Sequence, residues 1–262
     1  MVKVFSIDGK ESGSIELPEV FNTPVNYQTL KKAFLAEDSE RFQLKYTDPM
    51  AGKRKVARLT KRRRSYKTSY GRGLDRTPRK TLSKVGTNFY YVGAVAPNTV
   101  GGREAHPPQA EKRLVKGINK KEKRMAIKMG IAASANIKEV SKFHNLGGLK
   151  ELPIVIDGNL ETLKKTKDAI KLLSAIGLEN ELNRVLNKKI RSGKGKLRGR
   201  KYKRKLSLVI VTGNEEKTSK AFSNLNTVVK SFKDLGVKDV SQAGKPGRLI
   251  ICTKSAIESM RK

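Results

Sequence analysis

A strongly basic stretch with few hydrophobic residues, from Gly52 to about Pro108, constrains this chain more than any other feature. Between Gly52 and Lys84 there are fourteen Lys and Arg residues against one acid, Asp75, whereas residues 87–108 are nearly uncharged and rich in Gly, Pro and aromatic side chains. Connections longer than about 12–15 residues without secondary structure are uncommon in compact domains unless they are functional or disordered. We therefore expect this stretch to be the functional part, held by the rest of the chain.

A second basic segment, Lys188–Lys205, holds eleven basic residues and no acid. The chain has 58 Lys and Arg against 24 Asp and Glu, a formal charge of +34, and the two basic segments supply 24 of those charges. A single charge run is usually a solvated face or a tail. Two internal runs, each bracketed by foldable segments, instead indicate two docking surfaces for a polyanion, and nucleic acid is the favoured one.

An anionic membrane is the weaker alternative. The chain has no run of about 18 apolar residues, and its first residues, MVKVFSIDGK, lack the apolar segment of a signal peptide. The single cysteine, Cys252, excludes an internal disulfide and lies in the apolar run Leu249–Cys252, so we expect a buried, unreactive thiol. This cysteine usage fits a reducing, cytosolic compartment.

The hydrophobic pattern predicts short strands that alternate with amphipathic helices. Apart from Ser207, the run Leu206–Val211 is apolar and rich in β-branched residues, as expected for a strand buried on both faces of a parallel sheet. Such alternation indicates an α/β fold with a mainly parallel sheet flanked by helices. The predicted strands are residues 2–7, 14–17, 154–156, 206–211, 227–229, 237–240 and 249–252. The predicted helices are residues 27–42, 111–135, 160–176, 180–190, 215–222 and 255–261.

We expect one α/β globular domain, formed by about residues 1–46 and 110–262, with an extended RNA-binding loop inserted at about residues 47–109. Such a loop has too little apolar surface to offset the chain entropy lost on folding. It would become ordered only when a polyanion surrounds it.

The sequence gives no sign of a catalytic centre, so no enzymatic activity, cofactor or metal is expected. Its only histidines are His106 and His144, and with one cysteine they form no ligand cluster of zinc spacing and no nucleophile–base arrangement. His106 lies in the uncharged part of the loop, where RNA contact and loop packing are equally favoured. His144 is interpreted as a capping or surface residue.

The glycines of Arg191–Arg200 (RSGKGKLRGR) do not form a nucleotide-binding motif. The run lacks the terminal Ser or Thr of a phosphate-binding loop, its third glycine is one position too late for a dinucleotide fingerprint, and it precedes a strand instead of following one. Glycines here can still let backbone N–H groups and neighbouring cations approach phosphate oxygens. In the first basic segment, Tyr66 and Tyr70 alternate with cations and offer flat faces for unstacked bases.

The candidate RNA-binding residues therefore fall into two groups. Those of the loop are Lys53, Arg54, Lys55, Arg58, Lys61, Arg62, Arg63, Arg64, Tyr66, Lys67, Tyr70, Arg72, Arg76, Arg79, Lys80, Lys84, Arg103 and His106. Those of the second basic segment are Arg191, Lys194, Lys196, Arg198, Arg200, Lys201, Lys203 and Arg204.

Several unusual sequence blocks occur together and in one order: RLTKRRRSYKTSYGRGLDRTPR, VGGREAHPP, KEKRMAIKMGIAASA, ELPIVI with KKTKDAIKLL, RSGKGKLRGRKYKRK and GRLIICTKSAI. With these blocks the chain resembles the large-subunit ribosomal protein L4 family, in its archaeal and eukaryotic branch, over essentially its whole length. Eukaryotic members have a long C-terminal extension, whereas this chain ends at Lys262, which favours an archaeal-type protein.

The resemblance implies a structural protein of the cytoplasmic large ribosomal subunit. Its globular α/β domain would dock on ribosomal RNA (rRNA), and its loop would thread into the subunit and help to line the nascent-peptide exit tunnel. Residues 58–84 would be embedded in rRNA, residues 89–103 would lie near or behind the loop tip, and residues 193–204 would be a second rRNA contact. The implied partners are large-subunit rRNA, neighbouring large-subunit ribosomal proteins and nascent peptide.

Two other classes of function remain as alternatives at this point. An RNA-modifying enzyme with an α/β fold, such as a methyltransferase, is disfavoured by the absence of a glycine fingerprint after a strand and of a catalytic cluster. A chromatin or general polyanion-binding protein would bind duplex DNA as strongly as folded rRNA at matched salt.

Overall fold

The structure of the chain is a computed structural model that describes residues 2–45, 48, 57, 59–74, 76–100, 102–149, 151–157, 160, 163–213 and 219–261. The chain divides into two units. The first unit is formed by residues 1–41 and 115–262, and the second by residues 42–114.

The described residues form ten strands and eight α-helices. The strands are β1 (Val2–Phe5), β2 (Glu11–Ile15), β3 (Arg79–Val85), β4 (Asn88–Gly93), β5 (Ile154–Ile156), β6 (Lys189–Ile190), β7 (Tyr202–Lys203), β8 (Val209–Thr212), β9 (Val228–Ser231) and β10 (Ile250–Thr253). The helices are α1 (Tyr27–Ser39), α2 (Lys120–Ser134), α3 (Ile137–Val140), α4 (Thr166–Ala175), α5 (Glu179–Leu186), α6 (Ser219–Ser223), α7 (Val237–Val240) and α8 (Lys254–Arg261).

The first unit is built on a six-stranded sheet in the order β2-β1-β5-β10-β8-β9. Strands β1 and β2 form an antiparallel hairpin, and every other neighbouring pair is parallel. The sheet is thus mixed and mostly parallel, and helices flank it. The α/β class predicted from the alternation of strands and helices is confirmed.

The three central strands are buried on both faces, which explains their continuous apolar sequence. In β8, Ile210 belongs to the hydrophobic core on one face, whereas Val209 and Val211 belong to the core on the other. Strand β10 repeats this with Ile251 on one side and Cys252 on the other. Burial of each such side chain contributes about 1.5–3 kcal/mol to folding, so these strands are the main stabilising element of the unit.

Helices cover both faces of the sheet. The first core takes Leu172 and Leu173 from α4 and Phe222 from α6. The opposite core takes Ile257 from α8 and Ile131 from α2. The burial of Cys252 within this second core was predicted: its side chain is 0 % exposed, and burial raises the pKa of the thiol to about 12.

The small residues at the end of α2, in the run GIAASA (residues 130–135), serve helix packing. A Cβ built on Gly130 would overlap the side chain of Val240 in α7. Leu30 and Ala33 of α1 pack with Ala126 of α2 in a third cluster of buried residues. The GIAASA run therefore allows close packing of helices around the second face of the sheet.

The strand predicted at Val237–Val240 is wrong, because these residues form α7. The Val237 N–H donates to a carboxylate oxygen of Glu37 at 2.8 Å, and the Gly236 N–H donates to Asp239 at 3.0 Å. Carboxylates that accept these free N–H groups stabilise a helix start. Glu37 is 200 residues away in sequence, so tertiary contact overrides the local β-branched pattern.

Four helices are shorter than predicted. The one expected over residues 27–42 ends at Ser39. The helix expected over residues 111–135 begins only at Lys120, after Gly117, a residue that costs about 1 kcal/mol in a helix interior. The helix expected over residues 160–176 begins at Thr166. The one expected over residues 180–190 ends at Leu186, because Lys189 and Ile190 pair as strand β6. Part of the helix expected over 215–222 falls outside the described residues, and α6 begins at Ser219.

The second unit contains a β-hairpin that the sequence analysis did not predict. Strands β3 and β4 pair antiparallel from Arg79 opposite Gly93 to Val85 opposite Asn88. The long extended loop is therefore not confirmed, since these residues have regular secondary structure. No helix among the residues that the structure describes is long and apolar enough to cross a membrane.

Candidate nucleic-acid interface

A closed loop, residues 60–69, carries many of the cations of the first basic segment. Thr60 and Thr68 form an isolated β-bridge, and the Ser69 N–H donates to the Thr60 carbonyl at 2.9 Å. The Thr68 hydroxyl donates to the Arg62 carbonyl at 2.7 Å. These hydrogen bonds give the loop a defined shape, so the relative positions of its cations are fixed.

An aromatic cluster joins this loop to the hairpin. Phe89 of β4 is 8 % exposed, and the ring of Tyr66 meets it edge-on with centroids 5.1 Å apart. Tyr91 lies nearly parallel to Phe89 at 6.3 Å, and its hydroxyl donates to the Lys67 carbonyl at 2.8 Å. Aromatic pairs of this geometry contribute about 0.5–1.5 kcal/mol beyond their buried area. The cluster is a small core for the second unit.

Two lysines of the candidate site cover this aromatic cluster. The Lys67 ammonium lies 5.4 Å from the Phe89 centroid and 5.7 Å from that of Tyr66. The Lys84 ammonium lies 5.6 and 5.8 Å from the same two rings, and donates to the Tyr66 hydroxyl at 3.2 Å. Cation–π contacts at exposed sites contribute about 0.5–1 kcal/mol each. Lys67 and Lys84 therefore hold the second unit together as well as adding charge to it.

The other described cations of the first basic segment lie at its surface. Arg63 lies over the Tyr70 ring at 5.1 Å, and the Arg79 Nε donates to the Leu74 carbonyl at 3.0 Å. The exposed cations are Lys61, Arg62, Arg63, Arg64, Arg72, Arg76, Lys80 and Lys84. Between described residues, no ion pair includes any of them. Their charge is therefore available to an anionic ligand.

Some predicted site residues lie elsewhere or outside the description. Lys53, Arg54, Lys55 and Arg58 lie outside the described residues. Arg103 is partly buried, and His106 is exposed. His106 lines a pocket of about 330 Å³ together with Lys45, Pro108 and Lys112, all within the second unit.

The second basic segment folds into a two-stranded ribbon, which we call the basic ribbon (residues 189–203). Strands β6 and β7 pair Lys189 with Lys203 and Ile190 with Tyr202, and a 3₁₀ turn, Lys194–Arg198, forms the tip. At one end of the pairing the Arg191 N–H donates to the Lys201 carbonyl at 2.8 Å. The predicted segment is thus an ordered projection of the first unit.

Glycines and arginines set the shape of the ribbon tip. Gly193 has φ +83° and ψ −179°, a region that only glycine adopts readily, and Gly199 has a left-handed φ of +75°. The Arg191 Nε donates to the Arg200 carbonyl at 3.0 Å across the ribbon. The predicted cations Lys194, Lys196, Arg198, Arg200, Lys201, Lys203 and Arg204 are all exposed, and Arg191 is partly buried.

A buried polar network anchors the base of the ribbon. Glu181 of α5 is 0 % exposed and accepts hydrogen bonds from Arg184 Nε at 2.7 Å and Nη2 at 2.6 Å. The same Arg184 Nη2 donates to the Leu206 carbonyl at 2.7 Å, one residue after the second basic segment. The guanidinium therefore ties the C-terminal base of the ribbon to helix α5.

His144 belongs to this network, so its interpretation as a capping or surface residue is wrong. It is 4 % exposed, and its Nδ1 lies 2.7 Å from Glu181 Oε1. The Asn145 N–H donates to the other carboxylate oxygen at 3.0 Å. Burial favours the neutral carboxyl, but the hydrogen bonds from Arg184, His144 and Asn145 outweigh it and lower the pKa of Glu181 to about 2. Glu181 is thus ionised at neutral pH.

Sequence reasoning missed this network because its members are separated by 36 or 37 residues. The only available signal is the i, i+3 spacing of Glu181 and Arg184 on a short helix, which is common on helix surfaces. Among the residues that the structure describes, no group of three or more His, Cys, Asp or Glu side chains is arranged to hold a metal ion.

Comparison with known proteins gives a consistent match. Residues 15–262 match the model of the family described as "Ribosomal protein L4/L1 family". The chain is 42% identical to "Large ribosomal subunit protein uL4" of Nanoarchaeum equitans over 264 residues, covering 100% of this chain and 97% of the relative. It is 39% identical to the protein of the same name from Methanococcus aeolicus, with 100% and 98% covered. It is 39% identical to the protein of the same name from Sulfurisphaera tokodaii, and the match covers 99% of this chain and 93% of the relative.

Proposed function

The chain belongs to the ribosomal protein L4/L1 family, and from that premise we propose that it is a structural rRNA-binding protein of the large ribosomal subunit. The family is one of ribosomal components and not of enzymes. The large ribosomal subunit in which its members reside is cytoplasmic. Neighbouring large-subunit ribosomal proteins are accordingly its protein partners.

One observation supports rRNA binding above all others. The exposed cations of the two basic segments have no acidic partner among the described residues, although the first unit pairs many of its other charges. Clustered, exposed positive charge without counter-charge favours a phosphate backbone as ligand. The candidate residues of both segments therefore bind rRNA phosphates, with Tyr70 available for base contact.

The two units divide this work. The globular α/β domain that the sequence predicts, about residues 1–46 and 110–262, docks on rRNA through the basic ribbon. The inserted segment, about residues 47–109, enters the subunit and helps to line the exit tunnel, with residues 89–103 near or behind its tip. Residues 87–108 of this segment are nearly uncharged, which supports this placement, because uncharged Gly, Pro and aromatic residues do not retain a passing peptide by charge.

Equilibrium binding of the purified chain to large-subunit rRNA at several salt concentrations tests rRNA binding. The logarithm of affinity should fall with log salt by roughly 0.7–0.9 per neutralised phosphate, so about ten contacts should cost several orders of magnitude between low and moderate salt. A nearly salt-independent affinity, or equal binding to duplex DNA in competition at matched salt, would contradict the proposal. Binding of a methyl-donor cofactor would instead favour an enzyme.

Limited proteolysis tests the role of the inserted segment. The free chain should be cut first within residues 52–108, and assembly into the large subunit should protect this segment. Crosslinking from a cysteine placed at residues 89–103 to a stalled nascent chain would test the tunnel contact directly. Equal cleavage with and without the subunit would argue against insertion.

A further inference from the structure

The tip of the basic ribbon presents a leucine to solvent. Leu197, in the 3₁₀ turn, is 82 % exposed and stands between the cations Lys196 and Arg198. On the ribbon strands, Ile190 is 66 % exposed and Tyr202 is 50 % exposed. None of these apolar side chains belongs to the hydrophobic clusters of the first unit. The ribbon is therefore basic and apolar at once.

The backbone of the tip holds Leu197 in this position. Gly193 and Gly199 flank the turn in conformations that favour glycine, and the Arg200 N–H donates to the Gly195 carbonyl at 3.2 Å. The Arg191 side chain bonds across the ribbon to the Arg200 carbonyl. Because these contacts fix the turn on both sides, Leu197 points outward, and its exposure follows from the backbone conformation of the turn.

The surrounding charge identifies the kind of surface that Leu197 meets. Eleven cations and no acid lie within Lys188–Lys205, so an apolar protein surface would leave these charges desolvated and unpaired. RNA satisfies both features, because its phosphates take the cations while exposed base faces take an apolar side chain. Regular A-form RNA keeps its bases stacked and its major groove closed to side chains, whereas loops and bulges expose base faces.

We propose that Leu197 inserts against an unstacked base, so that the basic ribbon recognises an irregular RNA element, a bulge or loop, and not a uniform duplex. The inference rests on the proposed function, because it assigns a ligand class to the second rRNA-binding segment. Lys196 and Arg198 contact the phosphates on either side of the inserted side chain. Tyr202 provides a second base contact on the ribbon strand. The Lys201 ammonium lies 5.5 Å from the centroid of its ring.

The test compares Leu197→Ser with Lys196→Ala in the full chain. Each is titrated against a perfectly paired RNA duplex and against a large-subunit rRNA fragment carrying bulges and loops, at several salt concentrations. Leu197→Ser should weaken binding to the bulged RNA by roughly tenfold or more, because the variant loses the burial of a leucine side chain against the base. The salt slope should not change, because no cation is removed. Lys196→Ala should lower that slope by about one phosphate contact.

Controls separate this inference from the proposed function. Leu35→Ser, at a leucine of α1 that is 41 % exposed, should leave affinity unchanged, and thermal unfolding should show that each variant is folded. Equal binding of wild type and Leu197→Ser to both RNAs would overturn the insertion, and so would a loss confined to assembly with ribosomal proteins. In either case, a steep salt dependence of binding by the wild type would still support rRNA binding. If the wild type showed no salt dependence, both the insertion of Leu197 and rRNA binding would be overturned.

Discussion

The hairpin of the second unit and the basic ribbon of the first both hold many cations close together, but they are stabilised in different ways. Both are antiparallel, two-stranded and rich in cations that have no acidic partner among the described residues. The hairpin has a core of its own, Phe89 under Tyr66 and Tyr91, with two lysines over the rings. The ribbon buries none of its tip residues and depends on its glycines and on its anchored base.

This difference between the hairpin and the ribbon shows two ways in which like charges are held close together in the absence of a ligand. In the second unit, the repulsion between cations is offset by aromatic rings whose faces attract ammonium groups. In the basic ribbon, glycines allow the shape of the turn, and the pair between buried Glu181 and Arg184 anchors the base. Core mutations should therefore damage the hairpin, whereas turn and root mutations should damage the ribbon.

The largest effect is expected from Phe89→Ala. Removing a buried phenylalanine costs about 3–5 kcal/mol in a typical core, and here it also removes the ring contacted by Lys67 and Lys84. Hydrogen exchange of the β3 and β4 amides should accelerate strongly, while amides of β8 keep their protection. Tyr90→Ala, next to it in sequence but 56 % exposed, is the matched control and should change little. Unaltered hairpin exchange would show that the aromatic cluster is not its core.

The next largest effect is expected from Glu181→Gln, which should loosen the ribbon and spare the hairpin. Removing one member of a buried ion pair leaves its partner uncompensated and costs about 3 kcal/mol. Chemical denaturation should show this loss, and exchange of the β6 and β7 amides should rise with it. Glu139→Gln, whose partner Lys142 is exposed, should cost under about 1 kcal/mol. Equal losses of unfolding free energy in the two variants would show that the Glu181 network does not specifically stabilise the base of the ribbon.

The same carboxylate gives the first unit a pH dependence. The pKa of Glu181 is about 2 in the folded chain against an ordinary value of 4.5, so the folded state prefers the ionised form. Its stabilising contribution is complete above about pH 4.5 and falls as the pH drops through about 2. Acid titration through this window should destabilise the wild type more than Glu181→Gln, which has no carboxylate at this position to protonate. A constant stability difference between the two across that window would contradict the assignment.

A smaller effect, confined to the ribbon tip, is expected from Gly193→Ala. A side chain at φ +83° and ψ −179° costs about 1–3 kcal/mol of strain. The variant should therefore bind rRNA more weakly with little change in global stability. Ser192→Ala, at an exposed neighbour, is the control and should bind as the wild type does. If the glycine variant binds normally, the tip shape does not matter for recognition.

The sequence predicts the parts of this fold whose signals are local. The run Leu206–Val211 predicts a doubly buried strand because it is apolar apart from Ser207, and β8 takes up its second half, from Val209 onward. The last helix was predicted from its periodicity and is found at Lys254–Arg261. Both depend on residues that are neighbours in sequence, so the pattern alone contains the information.

The remaining features depend on partners that are distant in sequence. Val237–Val240 looks like a strand until Glu37 supplies the acceptor that starts a helix there. His144 looks like a surface residue until Glu181 packs against it. The hairpin at residues 79–93 was missed because its cations dominate the composition, although Gly86-Thr87 between residues rich in β-branched and aromatic side chains is itself a turn signal.

The buried thiol of Cys252 makes this chain a ready host for site-specific labels. It is the single cysteine, it is 0 % exposed, and burial raises its pKa to about 12, so it carries almost no thiolate at neutral pH. A maleimide dye or spin probe added to the native chain should leave it unmodified. A cysteine introduced on the ribbon tip or on the hairpin would then be the one reactive position, and the two regions could be observed separately during ribosome assembly.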